Sequence, residues 1–387
     1  MIMIPYGRQN INQADIDAVV AVLQSDFLTQ GPKVPSFEAA LAEYCGTKHA
    51  LAVNSATSAL HIACLSLGLG PGNFLWTSPI SFVASANCAL YCGAEIDFVD
   101  IDPQTLNLSP STLAEKLEKA KQDNKLPKIV VAVHLCGEPC NMAEIYALSK
   151  KYGFAIIEDA SHAIGARYQS QMVGSCQYSD ITVFSFHPVK IITTAEGGMA
   201  LTNRDDLAEK MALLRSHGIT RESHLMTKQT EGEWYYQQLD LGFNYRMTEL
   251  QAALGISQLQ RLEEFIVRRH LLAERYDNLL SDLPIRCQIR NTKNRSALHL
   301  YPIRISPESG KTRTQVFDSL RKNGVGVNVH YIPIHIQPYY QKNFHFKIGS
   351  FPQAEQYYAE AISLPLYADL SKSDQDKVIA TLRNSLL

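Results

Sequence analysis

Between His49 and Pro188 the sequence alternates short, continuously apolar runs with longer stretches of helical periodicity. The runs "HALAVNS", "NFLWTSP", "EIDFVDID", "KIVVAVHLCG", "FAIIEDAS" and "DITVFSFHP" place hydrophobic residues side by side instead of at every second position. A strand that is apolar on both faces has to be covered on both faces, as in a parallel sheet sandwiched between helices. The intervening "ATSALHIACLSLGLG", "ISFVASANCALYCG" and "NMAEIYALSKKYG" have the spacing of such covering helices. Upstream, "NQADIDAVVAVLQSD" and "VPSFEAALAEYCG" read as two more, the second stopped by Gly46. The expected class is α/β with a mostly parallel central sheet.

After about Gly255 the texture changes. One long charged helix, "SQLQRLEEFIVRRHLLAERYDNLLSDL", leads to strand-like "SALHLYPIRIS" and "GVGVNVHYIP" and to helical "TRTQVFDSLRKNG" and "FPQAEQYYAEAISL". That pattern predicts a smaller α+β domain, so the chain divides into a large domain over 1–255 and a connecting helix with a small domain over 256–387. With 387 residues, 46% of them hydrophobic, there is enough apolar material for both cores.

Several classes are excluded. Thirty-six basic residues stand against 38 acidic ones, with no basic cluster interleaved with aromatics, so nucleic acid is not an expected partner. No apolar run approaches the roughly 20 residues needed to span a bilayer, and the opening "MIMIPYGRQNINQADI" lacks the features of a secretory signal. A cytoplasmic protein without membrane contact is expected. Eight cysteines with no C-x-x-C pair read as reduced thiols. His330 and His335 in "HYIPIH" are separated by Pro333 and lack a third ligand nearby, so no metal is expected. The glycines of "SLGLGPGN" follow a helical pattern and do not sit between strand and helix, which argues against a nicotinamide-binding loop.

In an α/β sheet, ligands collect beyond the carboxyl ends of the strands. Three such ends carry chemistry. In "AVNSATSALHIA", Thr57 and Ser58 open a helix and could hold an anion on its free N–H groups; read alone, they are an ordinary Ser/Thr cap. In "FAIIEDASHA" a strand delivers Glu158 and Asp159, where a carboxylate could pair with a cationic ring nitrogen or simply cap a turn. In "SFHPVKIITTAEGG", Ser185 ends a strand and Lys190 follows five residues later; a desolvated lysine there is a potential Schiff-base nucleophile, whereas a solvated one is inert. Together the three are the parts of a pyridoxal-phosphate site: phosphate cradle, pyridinium partner and lysine.

On these residues the chain resembles the DegT/DnrJ/EryC1/StrS family of nucleotide-sugar aminotransferases, enzymes of fold type I that use pyridoxal 5'-phosphate. The likeness runs through "SDFLTQGPKVPSFEAALAEYCGTKHALAVNSATSALHIA", "SPISFVASANCALYCGAEIDFVDID", "EDASHAIGARY", "SFHPVKIITTAEGG" and "LGFNYRMTELQAALG". It implies that Lys190 is the Schiff-base lysine and Asp159 the partner of the ring nitrogen. It further implies His162 near the phenolic oxygen, Phe82 stacked on the ring, and Thr57, Ser58 and Ser185 on the phosphate, with Asn244 reaching the phosphate from the second subunit of a homodimer. Tyr6, Thr29, Gln30, Arg246, His330 and Tyr331 are the implied sugar contacts. Two positions depart from or choose within the family pattern: Ala195 stands where many relatives have glycine, and residue 190 is Lys and not the His of the dehydratase branch.

The likeness also implies ping-pong transamination through a pyridoxamine 5'-phosphate form, with L-glutamate as donor. "SFHPVKIITTAEGG" with "IPYGRQNI" resembles the branch that aminates C4 of a UDP-linked 4-keto-6-deoxy-N-acetylhexosamine, giving UDP-4-amino-4,6-dideoxy-N-acetyl-β-L-altrosamine on the route to pseudaminic acid. The alternatives are a GDP- or dTDP-linked keto sugar, or a protein that binds the cofactor without catalysis.

Overall fold

A computed structural model describes residues 3–386. In chain order its strands begin with β1 (His49–Val53), β2 (Phe74–Thr77), β3 (Glu95–Phe98), β4 (Ile129–Val133) and β5 (Ala155–Asp159). A short ladder of β6 (Arg167–Tyr168) and β7 (Gln171–Met172) precedes β8 (Ile181–Ser185) and β9 (Gly198–Thr202). A second short ladder, β10 (Ile219–Thr220) with β11 (Gln237–Gln238), leads on to β12 (Ile285–Cys287), β13 (Tyr301–Ile305) and β14 (Ala361–Leu364).

Seven strands form the main sheet in the order β1-β9-β8-β5-β4-β2-β3. Only β9 runs against its neighbours; β8, β5, β4, β2 and β3 are mutually parallel. Strands β4, β8 and β9 are buried at every position, as continuous apolar runs require. Alternate residues face opposite sides. Val53, Val131, Ile157, Ile181 and Val183 pack with Leu60, Ile62 and Ala63, while Ala52, Phe184, Met199 and Leu201 pack with Phe37, Leu41, Phe265 and Ile266.

The helices that matter most for the site are α1 (Gln13–Leu23), α2 (Lys33–Cys45), α3 (Ala56–Ser66) and α4 (Ala84–Tyr91). Gly46 ends α2 in the left-handed region at φ 71°, the stop that its position in the sequence predicts. Phe37 of α2 is fully buried, which contributes roughly 1.5 to 3 kcal/mol. The second sheet, β12-β13-β14, has its own core of Leu272, Tyr276, Ile303, Leu320, Ile362 and Leu382.

Three expected elements differ. The single charged helix is two, Glu249–Leu259 and Leu262–Leu279, because Arg261 leaves helical geometry (φ -103°, ψ 3°) and puts its guanidinium 2.5 Å from the buried Asp15 carboxylate. Gly255 lies within the first of the two. The helix expected over "FPQAEQYYAEAISL" stops at Glu360, and Ala361–Leu364 pairs with β13 as a fully buried strand. "GVGVNVHYIP" makes only isolated bridges, Ile4 with Val325 and Asn328 with Ser363, since its two partners lie at separate points.

The N-terminus of α2 has no side-chain cap of its own. Glu249, 1% exposed, replaces one by accepting the N–H groups of Lys33 at 2.7 Å and Val34 at 2.9 Å. Glu249→Ala should therefore lower unfolding stability by about 2 to 4 kcal/mol, since it strands two helix-end donors at once. Urea denaturation checks this.

Candidate active site

The carboxyl ends of β5 and β8 open onto one cavity of about 500 Å3, together with the residues that follow β1. Its first wall is the start of α3. Ser55 is the N-cap, accepting the Ser58 N–H at 3.1 Å. Among the described residues, the N–H groups of Ala56 and Thr57 and the Thr57 hydroxyl have no hydrogen-bond partner, and both residues line the cavity. A first-turn N–H has no acceptor within its own helix, so this corner presents free donors and the positive end of a helix dipole. The backbone of β9 lies directly beneath it. A Cβ on Gly198 would sit 2.5 Å from Ala56 N and 2.6 Å from Ser55 C, closer than real atoms approach. Ser185, at the end of β8, faces the same cavity.

Opposite stands Asp159, the last residue of β5 and 5% exposed. Its Oδ2 accepts the Ser85 hydroxyl at 2.6 Å, and its Oδ1 accepts the Ser161 hydroxyl at 2.6 Å and the Ser161 N–H at 3.1 Å. Lys190 lies in the tight loop after β8, where its N–H donates to the His187 carbonyl at 2.8 Å. Burial pushes the Lys190 amine down to about 8, partly opposed by the Asp159 carboxylate, which raises it. The loop returns to β9 through Ala195 at φ 66°, which accounts physically for the glycine expected there.

Phe82, 58% exposed, and Tyr331 form an aromatic wall with ring centroids 6.3 Å apart. His162 uses both ring nitrogens: the Cys136 N–H donates to Nδ1 at 3.3 Å, and Nε2 lies 3.0 Å from the Tyr331 hydroxyl. Burial, then the charge of Lys190 and the neighbouring His330, hold the His162 imidazole well below its ordinary value. His330 is lowered to about 4 by burial and by Lys190. His299 is likewise held well below the ordinary range by burial and by the neighbouring cations and imidazoles. Three of the imidazoles on the cavity wall, those of His162, His299 and His330, are thus neutral beside the Lys190 amine.

The expected site residues divide into groups. Tyr6, Thr57, Phe82, Asp159, His162, Ser185, Lys190, His330 and Tyr331 line the one cavity. Ser58 does not; its hydroxyl is directed at Asn54 Oδ1, 2.7 Å away, and Ser55 lines the cavity in its place. Thr29, Gln30 and Arg246 line a second cavity of about 220 Å3, next to the paired Glu38 and Arg215. Asn244 lines neither; it is exposed, and its carbonyl accepts from Asn54. Sequence reasoning passed over Ser85, Ser161, Gly198 and His299. The first three stand inside quoted motifs. His299 has no local signature and meets His162, at 4.5 Å between ring centroids, only through packing of the segment before β13 against the turn after β5. Among the described residues no three metal-ligating groups cluster, and no helix is long and apolar enough to cross a membrane.

The free donors of α3 with Ser185 would hold a dianion, and Phe82, Asp159 and Lys190 line the same cavity and would serve a planar cationic ring. The uncommitted donors at Ala56 and Thr57, and a glycine where any side chain would collide with them, match a phosphate held by backbone. Such a donor set, on this sheet, defines a pyridoxal-phosphate transaminase of fold type I. Residues 9–383 match the model of the DegT/DnrJ/EryC1/StrS aminotransferase family. The chain is 39% identical to the spore coat polysaccharide biosynthesis protein SpsC of Bacillus subtilis, over 98% of this chain and 96% of that one. It is 38% identical, with the same coverage, to the UDP-4-amino-4,6-dideoxy-N-acetyl-beta-L-altrosamine transaminase of Campylobacter jejuni serotype O:2. Helicobacter pylori PseC, an aminotransferase of pseudoaminic acid biosynthesis, superposes with a TM-score of 0.91 at 34% identity over 99% of both chains. The chain belongs to the DegT/DnrJ/EryC1/StrS aminotransferase family. Its cofactor is pyridoxal 5'-phosphate, and similar structures at 28% identity are solved in PLP and PMP forms.

Gly198→Ala should leave the circular-dichroism spectrum unchanged but weaken cofactor binding about tenfold or more, since its Cβ can be accommodated only by moving the Ser55–Ala56 backbone, at a cost of about 1 to 3 kcal/mol. Equilibrium titration of the apoprotein with pyridoxal phosphate measures this.

Proposed function

We propose that this chain transfers an amino group from L-glutamate to C4 of a UDP-linked 4-keto-6-deoxy-N-acetylhexosamine, yielding UDP-4-amino-4,6-dideoxy-N-acetyl-β-L-altrosamine for pseudaminic acid biosynthesis. The observation that carries the transamination is the meeting of Lys190, Asp159 and the α3 N-terminus on one cavity. The choice of sugar is supported by likeness over nearly the whole chain to a transaminase named for that product. A GDP- or dTDP-linked keto sugar is the second reading, since a relative of similar likeness is named for spore coat polysaccharide biosynthesis and not for the altrosamine product.

When bound, pyridoxal phosphate supplies a conjugated ring that takes up the electron pair left as a proton departs from the amino-bearing carbon. The backbone of Ala56 and Thr57, with Ser185, would bind the phosphate, Asp159 would accept the ring N–H, and Phe82 would cover the ring. Lys190 Nζ removes the proton from the α-carbon of the donor and holds it as an ammonium until it is returned. A value near 8 populates both forms of that amine around neutral pH, so the same group can serve first as base and then as acid within each half-reaction. His162, His299 and His330, all neutral, add polar contacts without adding charge. Tyr6, His330 and Tyr331 face the sugar at the cavity mouth.

Thr29, Gln30, Asn244 and Arg246 lie outside this chain's own cavity, and we assign them to the site of a second copy in a homodimer. Exposed apolar side chains surround them in sequence, including Phe27 at 52%, Leu28 at 46%, Trp234 at 72% and Leu241 at 77% exposure. An apolar surface of this kind suits a partner subunit.

Offered L-glutamate and a panel of freshly made 4-keto nucleotide sugars, the purified protein should aminate the UDP-linked N-acetylhexosamine fastest, with the product identified by NMR. A GDP or dTDP sugar turning over faster would transfer the assignment to the second reading. Lys190→Ala should abolish turnover with the fold intact; near-parental turnover would remove the lysine from the mechanism.

The shared site has its own test. In heterodimers of Lys190→Ala and Asn244→Ala chains, one site carries both lesions and the other neither, so a mixture reassembled from individually impaired variants should recover activity at about one intact site per heterodimer. Proven subunit exchange with no gain over the two parents would return Asn244 to its own subunit or take it away from the cofactor.

A further inference from the structure

We infer that Ser85 is a positioning residue for the reaction: its hydroxyl fixes the Asp159 carboxylate so that a single oxygen lone pair, on Oδ2, is left to receive the protonated ring nitrogen. The inference rests on the reading of Asp159 as that nitrogen's partner. An ionised carboxylate offers about four lone-pair directions. Ser161 takes two of them on Oδ1, through its hydroxyl at 2.6 Å and its N–H at 3.1 Å. Ser85 takes one on Oδ2 at 2.6 Å.

The two serines differ in what they can fix. Ser161 is two residues from Asp159 and moves with the same turn. Ser85 belongs to α4, 74 residues away in sequence, and is fully buried, so it anchors the carboxylate to a separate rigid element. Its hydroxyl has one proton, and that proton goes to Asp159. Ser81, 2.6 Å from Ser85 and 3% exposed, must then be the donor in the Ser81–Ser85 contact. A two-hydroxyl relay therefore points at Asp159 from beneath the wall that carries Phe82.

Removing the Ser85 hydroxyl has two effects, and both act in one direction. A carboxylate that loses a donor holds the proton of its partner more strongly, which draws that proton off the ring nitrogen. A carboxylate freed to rotate also aims its lone pair less well, which stabilises the ring cation less. Each shifts the ring nitrogen towards its unprotonated form.

The test uses holoprotein loaded with pyridoxal phosphate labelled with nitrogen-15 in the ring, and reads that nitrogen's chemical shift alongside the single-turnover rate with L-glutamate. Ser85→Ala should move the shift towards the unprotonated value and slow the half-reaction about 10- to 100-fold, as loss of one hydrogen bond to a charged group implies. Glutamate affinity should stay within about twofold. Ser85→Thr, which keeps the donor, should restore the parental shift, and Ser85→Cys, which keeps the shape with a weak donor, should fall between. Parental shift and rate in folded Ser85→Ala and Ser85→Cys would overturn the inference, and leave Ser85 a packing residue. Asp159→Asn separates the two levels: if it too keeps a protonated ring nitrogen, the reading of Asp159 fails, whereas if it moves the shift and the Ser85 variants do not, only the role of Ser85 fails.

Discussion

A carboxylate at 5% exposure is costly unless its charge is met, and the architecture around Asp159 can be understood as the means of meeting it. Three donors from two serines reach it, and the Lys190 amine shares its cavity. To bring these groups together, β5 has to end beside β8, because β8 supplies the turn that carries Lys190. Their parallel pairing does this: Asp159 lies in register with Val183, two residues short of Ser185. The other face of the same requirement is the buried Glu158, whose side chain alternates to the opposite side and is met there by His134 at 2.7 Å, Ser179 and Thr182. Two adjacent buried carboxylates on one strand are tolerable only because each has its own set of donors.

The lysine depends on the same enclosure. Desolvation brings it down to about 8, and the Asp159 charge keeps it from falling further. The surrounding imidazoles are neutral for the same reason: Lys190 and burial together make another cation there unfavourable. Among Lys190, His162, His299 and His330, the charge thus stays on Lys190, the group whose chemistry needs both protonation states.

Much of this was legible in the sequence, and the limit is physical. Continuous apolar runs marked the strands of the main sheet because burial on both faces leaves little choice of residue. Strand ends carrying Asn54-Ser55, Asp159 and Ser185 were visible because polar residues interrupt such runs abruptly. The C-terminal segments were harder. "AISL" continues the composition of the preceding helix and becomes a strand only because β13 is there to pair with it. "GVGVNVHYIP" looks like a strand and fails to be one because no neighbouring strand runs beside its whole length. The helix break at Arg261 depends on Asp15, 246 residues away. Ser58 could not be told from Ser55 by spacing, since either can cap; only the Asn54 side chain, taking the Ser58 hydroxyl, decides between them.

The direction of one hydrogen-bond chain carries the argument from fold to specificity. The Cys136 N–H can only donate, so Nδ1 of His162 accepts and, in the neutral ring, the proton resides on Nε2. That proton is given to the Tyr331 oxygen at 3.0 Å. The phenol, itself raised above its ordinary value chiefly by burial, keeps its own proton and has to give it to an acceptor other than His162. Its ring lies across from Phe82 on the cavity wall. A backbone amide therefore sets, through one imidazole, the polarity of a hydroxyl 169 residues away in sequence from that imidazole. The proton of that hydroxyl is thereby left for an acceptor oxygen, which is how the proposed contact of Tyr331 with a sugar would be made.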